Sequence, residues 1–153
     1  MNKGRTAKTR YPVRHLAQII LYNDKREVYL QHRDSKAPTY PNAIGLFAGG
    51  IEPGETARGA VIRECGEETS YRLKRPRLLD KRKYSDGKYR GLSYVYIEKY
   101  DGAAKLECHE GKAGLWLSRE RVEKAKKVID LDKRILDKFF KTIKRQLLRP
   151  SGE

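Results

Sequence analysis

The stretch Gly49–Tyr71, GGIEPGETARGAVIRECGEETSY, constrains this chain more than any other. It opens on the turn Gly49-Gly50 and sets Glu52, Pro53, Gly54 and Glu55 in a tight loop. A helical run follows, carrying Arg63-Glu64 and then Glu67-Glu68. Helical rotation brings Glu64, Glu67 and Glu68 within roughly a 100° arc of one face. Like charges at i,i+3 and i,i+4 repel and add nothing to a helix. A bound cation is the physical reason to gather them. An all-oxygen donor set favours hard divalent ions, Mg²⁺ first and Mn²⁺ close behind. The plain alternative is an acidic surface helix, which must explain five acids against two bases in a chain of formal net charge +15.

The same spacing carries a family resemblance. Gly49, Glu55, Arg63, Glu64, Glu67 and Glu68 fall where the Nudix box, G-x5-E-x7-R-E-U-x-E-E-x-G-U with U apolar, has its specified residues. Cys65 and Tyr71 take apolar positions, and Ser70 stands where the pattern has glycine. Glycine there usually supplies a left-handed helix cap, and serine leaves every carboxylate in place.

The resemblance implies an α/β fold, the Nudix α/β/α sandwich, with a mixed β-sheet, the box helix on one side and the C-terminal helix on the other. It implies hydrolysis of a diphosphate linkage in a nucleoside diphosphate joined to another group. It also implies one to three Mg²⁺ (or Mn²⁺) ions held by Glu64, Glu67, Glu68 and the Gly49 carbonyl, with Glu52 a further candidate. Glu55 and Arg63 would form a scaffold ion pair. Glu68, Glu67 and Glu110 are the catalytic candidates, and the base is left open between Glu68, ranked first, and Glu110.

At 153 residues the length fits one domain. We expect a mobile basic arm over residues 1–12, a single domain over 13–149 and a short tail at 150–153. Val13–Tyr22 and Glu27–Arg33 read as a hairpin, Ile44–Ala48 as a short strand feeding the glycine turn, and Tyr89–Tyr100 as a tyrosine-rich strand. Leu78–Tyr84 and Leu115–Leu117 are shorter strand candidates. Thr56 and Ser118 are placed to cap helices, the second over Arg119–Lys127. Leu131, Ile135, Phe139, Ile143 and Leu147 recur every four residues and predict a last helix docked on the sheet. Cys65 and Cys108 make neither a disulfide framework nor a metal-ligand spacing. No apolar run approaches 18 residues, so no membrane partner is expected and cytoplasmic is the default.

Taking out the box leaves the remaining residues at +18, an arrangement that draws polyanions toward a locally acidic site. Substrate phosphates need cations, and Arg33, His32 and Lys81-Arg82-Lys83, with Lys83 foremost, are candidates, although His32 reads better as a strand-surface residue. Base recognition uses aromatic stacking, for which Tyr40, Phe47, Tyr89 and Tyr94 are available. The family's ADP-ribose class tends to carry a proline about 15 residues past the box, and none stands there. Its diadenosine polyphosphate class tends to carry a tyrosine a little further on, and Tyr89 lies 18 residues past Tyr71. Three readings follow. One is a nucleotide house-cleaning hydrolase, one an RNA 5′-end or dinucleoside polyphosphate hydrolase, and one a non-catalytic nucleotide- or RNA-binding module. Relatives are often dimers, so a homodimer stays among the expected assemblies.

Overall fold

Alternation along the first strand divides the core in two. In β1 (Leu16–Tyr22), Ala17, Ile19 and Leu21 face one side of the sheet and Ile20 faces the other, as the two-residue repeat of a strand requires. The computed structural model describes residues 11–147. Most of the expected arm, and the tail at 150–153, lie outside them. Tyr11 and Pro12 fall inside, where the carbonyl of each accepts a bond from Arg90.

β2 (Val28–His32) follows β1 as its hairpin partner. The segment after it enters the sheet as two short strands, β3 (Ile44–Gly45) and β4 (Phe47–Gly50). β3 pairs with β2 and β4 pairs with β1, so the chain changes partner at Leu46 and wedges β1 and β2 apart. The single strand expected over Ile44–Ala48 is thus split. At the break the Leu46 N–H donates to Asp132 Oδ2 at 3.1 Å, which satisfies a donor the ladder has given up.

Thr56 caps α1 (Ala57–Thr69) by accepting the Gly59 N–H at 2.9 Å. β5 (Arg77–Ser85) and β6 (Arg90–Lys99) form the longest hairpin, and β6 lies parallel to β1. β7 (Ala113–Leu117) covers the far edge of β2. The sheet is therefore mixed. Ser118 caps α2 (Arg119–Lys124), which ends three residues short of the expected Lys127. It stops because Val128 turns to bridge Ile44, with backbone bonds from Ile44 to Lys127 and from Ile129 to Ile44. The last helix, α3 (Asp130–Leu147), buries Ile135, Leu136, Phe139, Phe140 and Ile143.

Two apolar clusters hold the layers. One joins Ile20, Val28, Leu30, Val95 and Ile97 to α2 and α3, and the other joins Ala17, Ile19, Phe47 and Tyr96 to Ala60, Val61 and Cys65 of α1. This is the α/β/α sandwich the resemblance implied. The opening that β3 and β4 force between β1 and β2 is where the chemistry-bearing side chains gather.

Candidate active site

Arg63 organises the acidic helix. Its Nε and Nη2 donate to the two oxygens of Glu55 at 2.8 and 2.9 Å, a two-pronged ion pair, and Nη2 also donates to the Gly50 carbonyl at 3.1 Å. The helix is thereby fastened to the loop and glycine turn before it. The guanidinium holds the Glu55 carboxyl well below its ordinary value of 4.5, at about 2. Nη1 draws Glu64 Oε1 to 2.8 Å and Glu67 Oε2 to 3.3 Å. Glu52 stays exposed, 3.9 Å from the guanidinium.

The three helix acids differ sharply in environment. Glu67 is exposed, Glu64 is largely covered, and Glu68 is 6 % exposed. Burial pushes the Glu68 carboxyl up to about 8, with Glu110 and Glu64 adding to the rise and Arg33 opposing it. Burial likewise raises Glu64, against the pull of Arg63. Glu68 Oε2 is buried with no hydrogen-bond partner. A buried acceptor left unpaired is costly, and here it is an acid among acids.

Those features test the fit of a metal. An orphaned carboxylate oxygen, two further acids on the same helix face and a backbone carbonyl form an all-oxygen set suited to a hard divalent ion. Gly49 fits as well, since a Cβ there would sit 1.9 Å from Glu64 Cδ, so only glycine lets the two approach. Among the described residues no three acidic, histidine or cysteine side chains close on one point. Arg63 accounts for this by taking oxygens of both Glu64 and Glu67, and a cation would compete with it for them.

Glu68 opens onto a cleft of about 600 Å³ also lined by Glu110, His109, Gln31, Arg33, Lys36 and Tyr89. Arg33 is steadied by donating to the Thr39 carbonyl at 3.0 Å and to its hydroxyl at 3.2 Å. Arg14 and Lys88 lie over the Tyr89 ring, 5.3 and 5.5 Å from its centre, and line the same cleft. Glu110 is presented by the loop between β6 and β7, its carbonyl held by Gln31 Nε2 at 2.9 Å. The structure thus brings Glu68, Glu110, Arg33 and Tyr89 together.

Two expected substrate residues lie elsewhere. Phe47 is 2 % exposed and stacked on Tyr29, 5.4 Å between ring centres, because alternation along β4 turns it into the α1 core. Lys83 lines a separate groove between β5 and α3, with Asp80, Arg134 and Lys138. His32 lies on the opposite face of β2 from Gln31. Tyr94 packs near Ile51 and Pro53, on the α1 side.

A narrow inner pocket of about 80 Å³ continues from the cleft, lined by Leu16, Leu46, Tyr84 and Ile129 with Gln18, Ser93 and Asp132. Ser93 donates to Gln18 Oε1 at 2.6 Å, and Arg82 bridges to Asp132 at 3.2 Å. Arg82, expected at phosphates, is a strut between β5 and α3. Sequence reasoning missed Arg14, Lys36, Lys88, Gln18, Ser93 and Asp132 as cavity-lining residues. A polar residue in an otherwise apolar strand or stripe, as at Gln18 and Asp132, was the available signal.

Comparison with known proteins agrees with this architecture. A family profile described as NUDIX domain matches residues 14–139. No curated protein matches the chain. Among solved structures, a MutT protein from Methanosarcina mazei is 19 % identical with a TM-score of 0.74, covering 92 % of this chain and 99 % of that one. An Ap4A hydrolase from C. elegans, solved as a binary complex, is 20 % identical with a TM-score of 0.72, covering 87 % and 99 %. The NUDIX domain of Shewanella oneidensis NrtR, complexed with ADP ribose, is 15 % identical with a TM-score of 0.72, covering 94 % and 99 %.

Proposed function

We propose that this chain, which belongs to the NUDIX family, is a pyrophosphohydrolase of phosphorus-containing anhydrides and that its substrate is a nucleotide. Its likeness to MutT and Ap4A hydrolase structures supports this reading. The nucleotide's phosphates would lie in the cleft and its base in the inner pocket. One observation carries this reading: the acids, the basic wall and the narrow pocket form a single cavity system. Arg33, Thr39, Ala48 and Asp86 line both of its parts. A substrate filling it has negative charge at one end and a flat, partly apolar group at the other.

Family members generally use divalent metals; Mg²⁺, or Mn²⁺, held by Glu68, Glu64, Glu67 and the Gly49 carbonyl, is the proposed cofactor. When bound, such an ion neutralises phosphate oxygens and lowers the pKa of water. The chain's own residues do the rest. Arg33, fixed by Thr39, meets a phosphate as a planar two-pronged donor. Lys36, Lys88 and Arg14 offset the remaining charge along the wall. We take Glu110, exposed on the cleft, as the base for the attacking water in place of the higher-ranked Glu68, whose buried, unpartnered oxygen would hold the metal. Gln18 and Ser93 meet the edge of the base, and Leu16, Leu46 and Ile129 cover its faces.

A nucleoside triphosphate taken for house-cleaning is the leading substrate. Dinucleoside polyphosphates are the alternative supported by Tyr89, whose ring lines the outer cleft where a second base would stack. An RNA 5′ end is supported by a second groove of about 450 Å³ lined by Lys126, Lys127 and Arg134. Tyr40, Ile129 and Leu131 border both this groove and the inner pocket.

The test is turnover of a panel with Mg²⁺ or Mn²⁺: nucleoside triphosphates and their oxidised forms, ADP-ribose, nucleotide sugars, dinucleoside polyphosphates and 5′-triphosphorylated RNA. A Glu67→Gln plus Glu68→Gln variant is the control. Metal-dependent turnover of one class, lost in the variant, supports the reading and names the substrate. Absence of turnover across the panel, with RNA binding unchanged in the variant, would replace it with a binding module.

A further inference from the structure

Ser70 ends α1 in the left-handed region, with φ 62° and ψ 11°, and its N–H bonds back to the Gly66 carbonyl. That conformation strains any residue with a Cβ and suits glycine. A serine kept there needs a use for its hydroxyl, and the structure supplies one. Ser70 Oγ donates to Glu107 Oε2 at 2.9 Å and lies 2.7 Å from His109 Nε2, while His109 Nε2 lies 2.9 Å from the same Glu107 oxygen. The three side chains form a closed triangle between the end of α1 and the loop joining β6 to β7.

Two backbone bonds run beside it, from Glu107 N–H to the Thr69 carbonyl and from His109 N–H to the Glu68 carbonyl, each 2.9 Å. The loop is therefore stitched to the very turn of α1 that bears Glu68. One residue further on stands Glu110, tied on its other side to Gln31 and followed by Gly111. A Cβ on Gly111 would meet the His32 carbonyl at 2.6 Å, so the loop passes tightly over β2. We infer that Ser70 is a positioning residue: its hydroxyl, through Glu107 and His109, holds the 107–110 loop so that Glu110 faces Glu68 across the cleft. The inference rests on the proposed role of Glu110 in catalysis.

Ser70, Glu107 and His109 are exposed, and water competes for their bonds, so the effect is a modest bias on loop position. Loss of one such tether is worth about threefold to tenfold in rate. The experiment compares Ser70→Gly, Ser70→Asn, Glu110→Gln and the Ser70→Gly/Glu110→Gln pair in the full chain. It reads kcat and KM on whichever substrate the panel identifies, thermal midpoint, and amide exchange at residues 107–110.

Ser70→Gly should be as stable as the parent or more so, with kcat down by about threefold to tenfold, KM unchanged and faster exchange at Glu107 and His109. Asparagine tolerates the left-handed region and carries a polar side chain, so Ser70→Asn should restore most of kcat. In the Glu110→Gln background, Ser70→Gly should cost nothing more. An undiminished kcat in Ser70→Gly, or a further loss in the double variant, overturns the inference. Unchanged exchange at 107–109 overturns the tether itself. Full activity of Glu110→Gln instead overturns the role of Glu110, a separate failure that the exchange data would distinguish.

Discussion

Among the three helix acids Glu68 is the most buried. Its Oε2 has no partner, and its carboxyl is raised to about 8 by burial and by Glu110 and Glu64. Two outcomes of Glu68→Gln follow from that environment. Turnover should fall by about 10²- to 10⁴-fold, the range for a group that moves a proton or anchors the reacting charge. Thermal stability without added metal should hold or rise, because the amide carries no charge to desolvate. A kinetic assay beside a melting scan measures both, and a variant that melts lower with activity intact would show a structural residue. Sequence spacing marks Glu64, Glu67 and Glu68 alike. Packing separates them, since neighbouring positions on a helix point about 100° apart and only one of them aims beneath the β6–β7 loop.

At the scale of elements, α1 and its loop are one mechanical unit through Glu55 and Arg63. Glu55 sits at about 2 in the fold against an ordinary 4.5. A depressed carboxyl releases its proton more readily folded than unfolded, so its stabilisation is complete above about pH 4.5 and is lost as pH falls toward 2. Glu55→Gln should therefore narrow the stability gap from the parent as pH drops through that window, and denaturant melts at pH 6 and pH 3 would measure it. A gap that widens toward acid would contradict the pairing. The ion pair was legible from the matching of Glu55 and Arg63 to the box, and the caps at Thr56 and Ser118 from their place before helical runs. The break at Leu46 was not. It depends on Asp132, more than 80 residues away, offering an oxygen to a backbone N–H. The early end of α2 was hidden for the same reason, because Val128 is drawn off by Ile44.

Across the whole molecule, charge and shape decide which substrates can reach the site. No helix among the described residues is long and apolar enough to cross a membrane, and the chain carries a formal net charge of +15. Binding of a 5′-triphosphorylated RNA along the Lys126, Lys127 and Arg134 groove should weaken with salt, with a log–log slope near about −2 for three neutralised phosphates of a single strand. Charge reversal at those three positions should flatten that slope and leave turnover of a mononucleotide unchanged. Equal slopes in parent and variant would remove the groove from any role with RNA.

By itself the sequence determined the acidic helix, its scaffold arginine, the glycine turn before it and the docked last helix. Each is written in local spacing, where helical and strand periodicities convert residue intervals directly into faces. Tertiary structure alone decided that Phe47 is core and Tyr89 is cleft, that Arg82 braces α3 while Arg33 faces Glu68, and that Gln18, Ser93 and Asp132 meet in one pocket. Those outcomes depend on which strands become neighbours and how far β3 and β4 spread them. Burial, and with it the raised pKa of Glu68, is a property of elements packed together, and no single stretch of chain contains it.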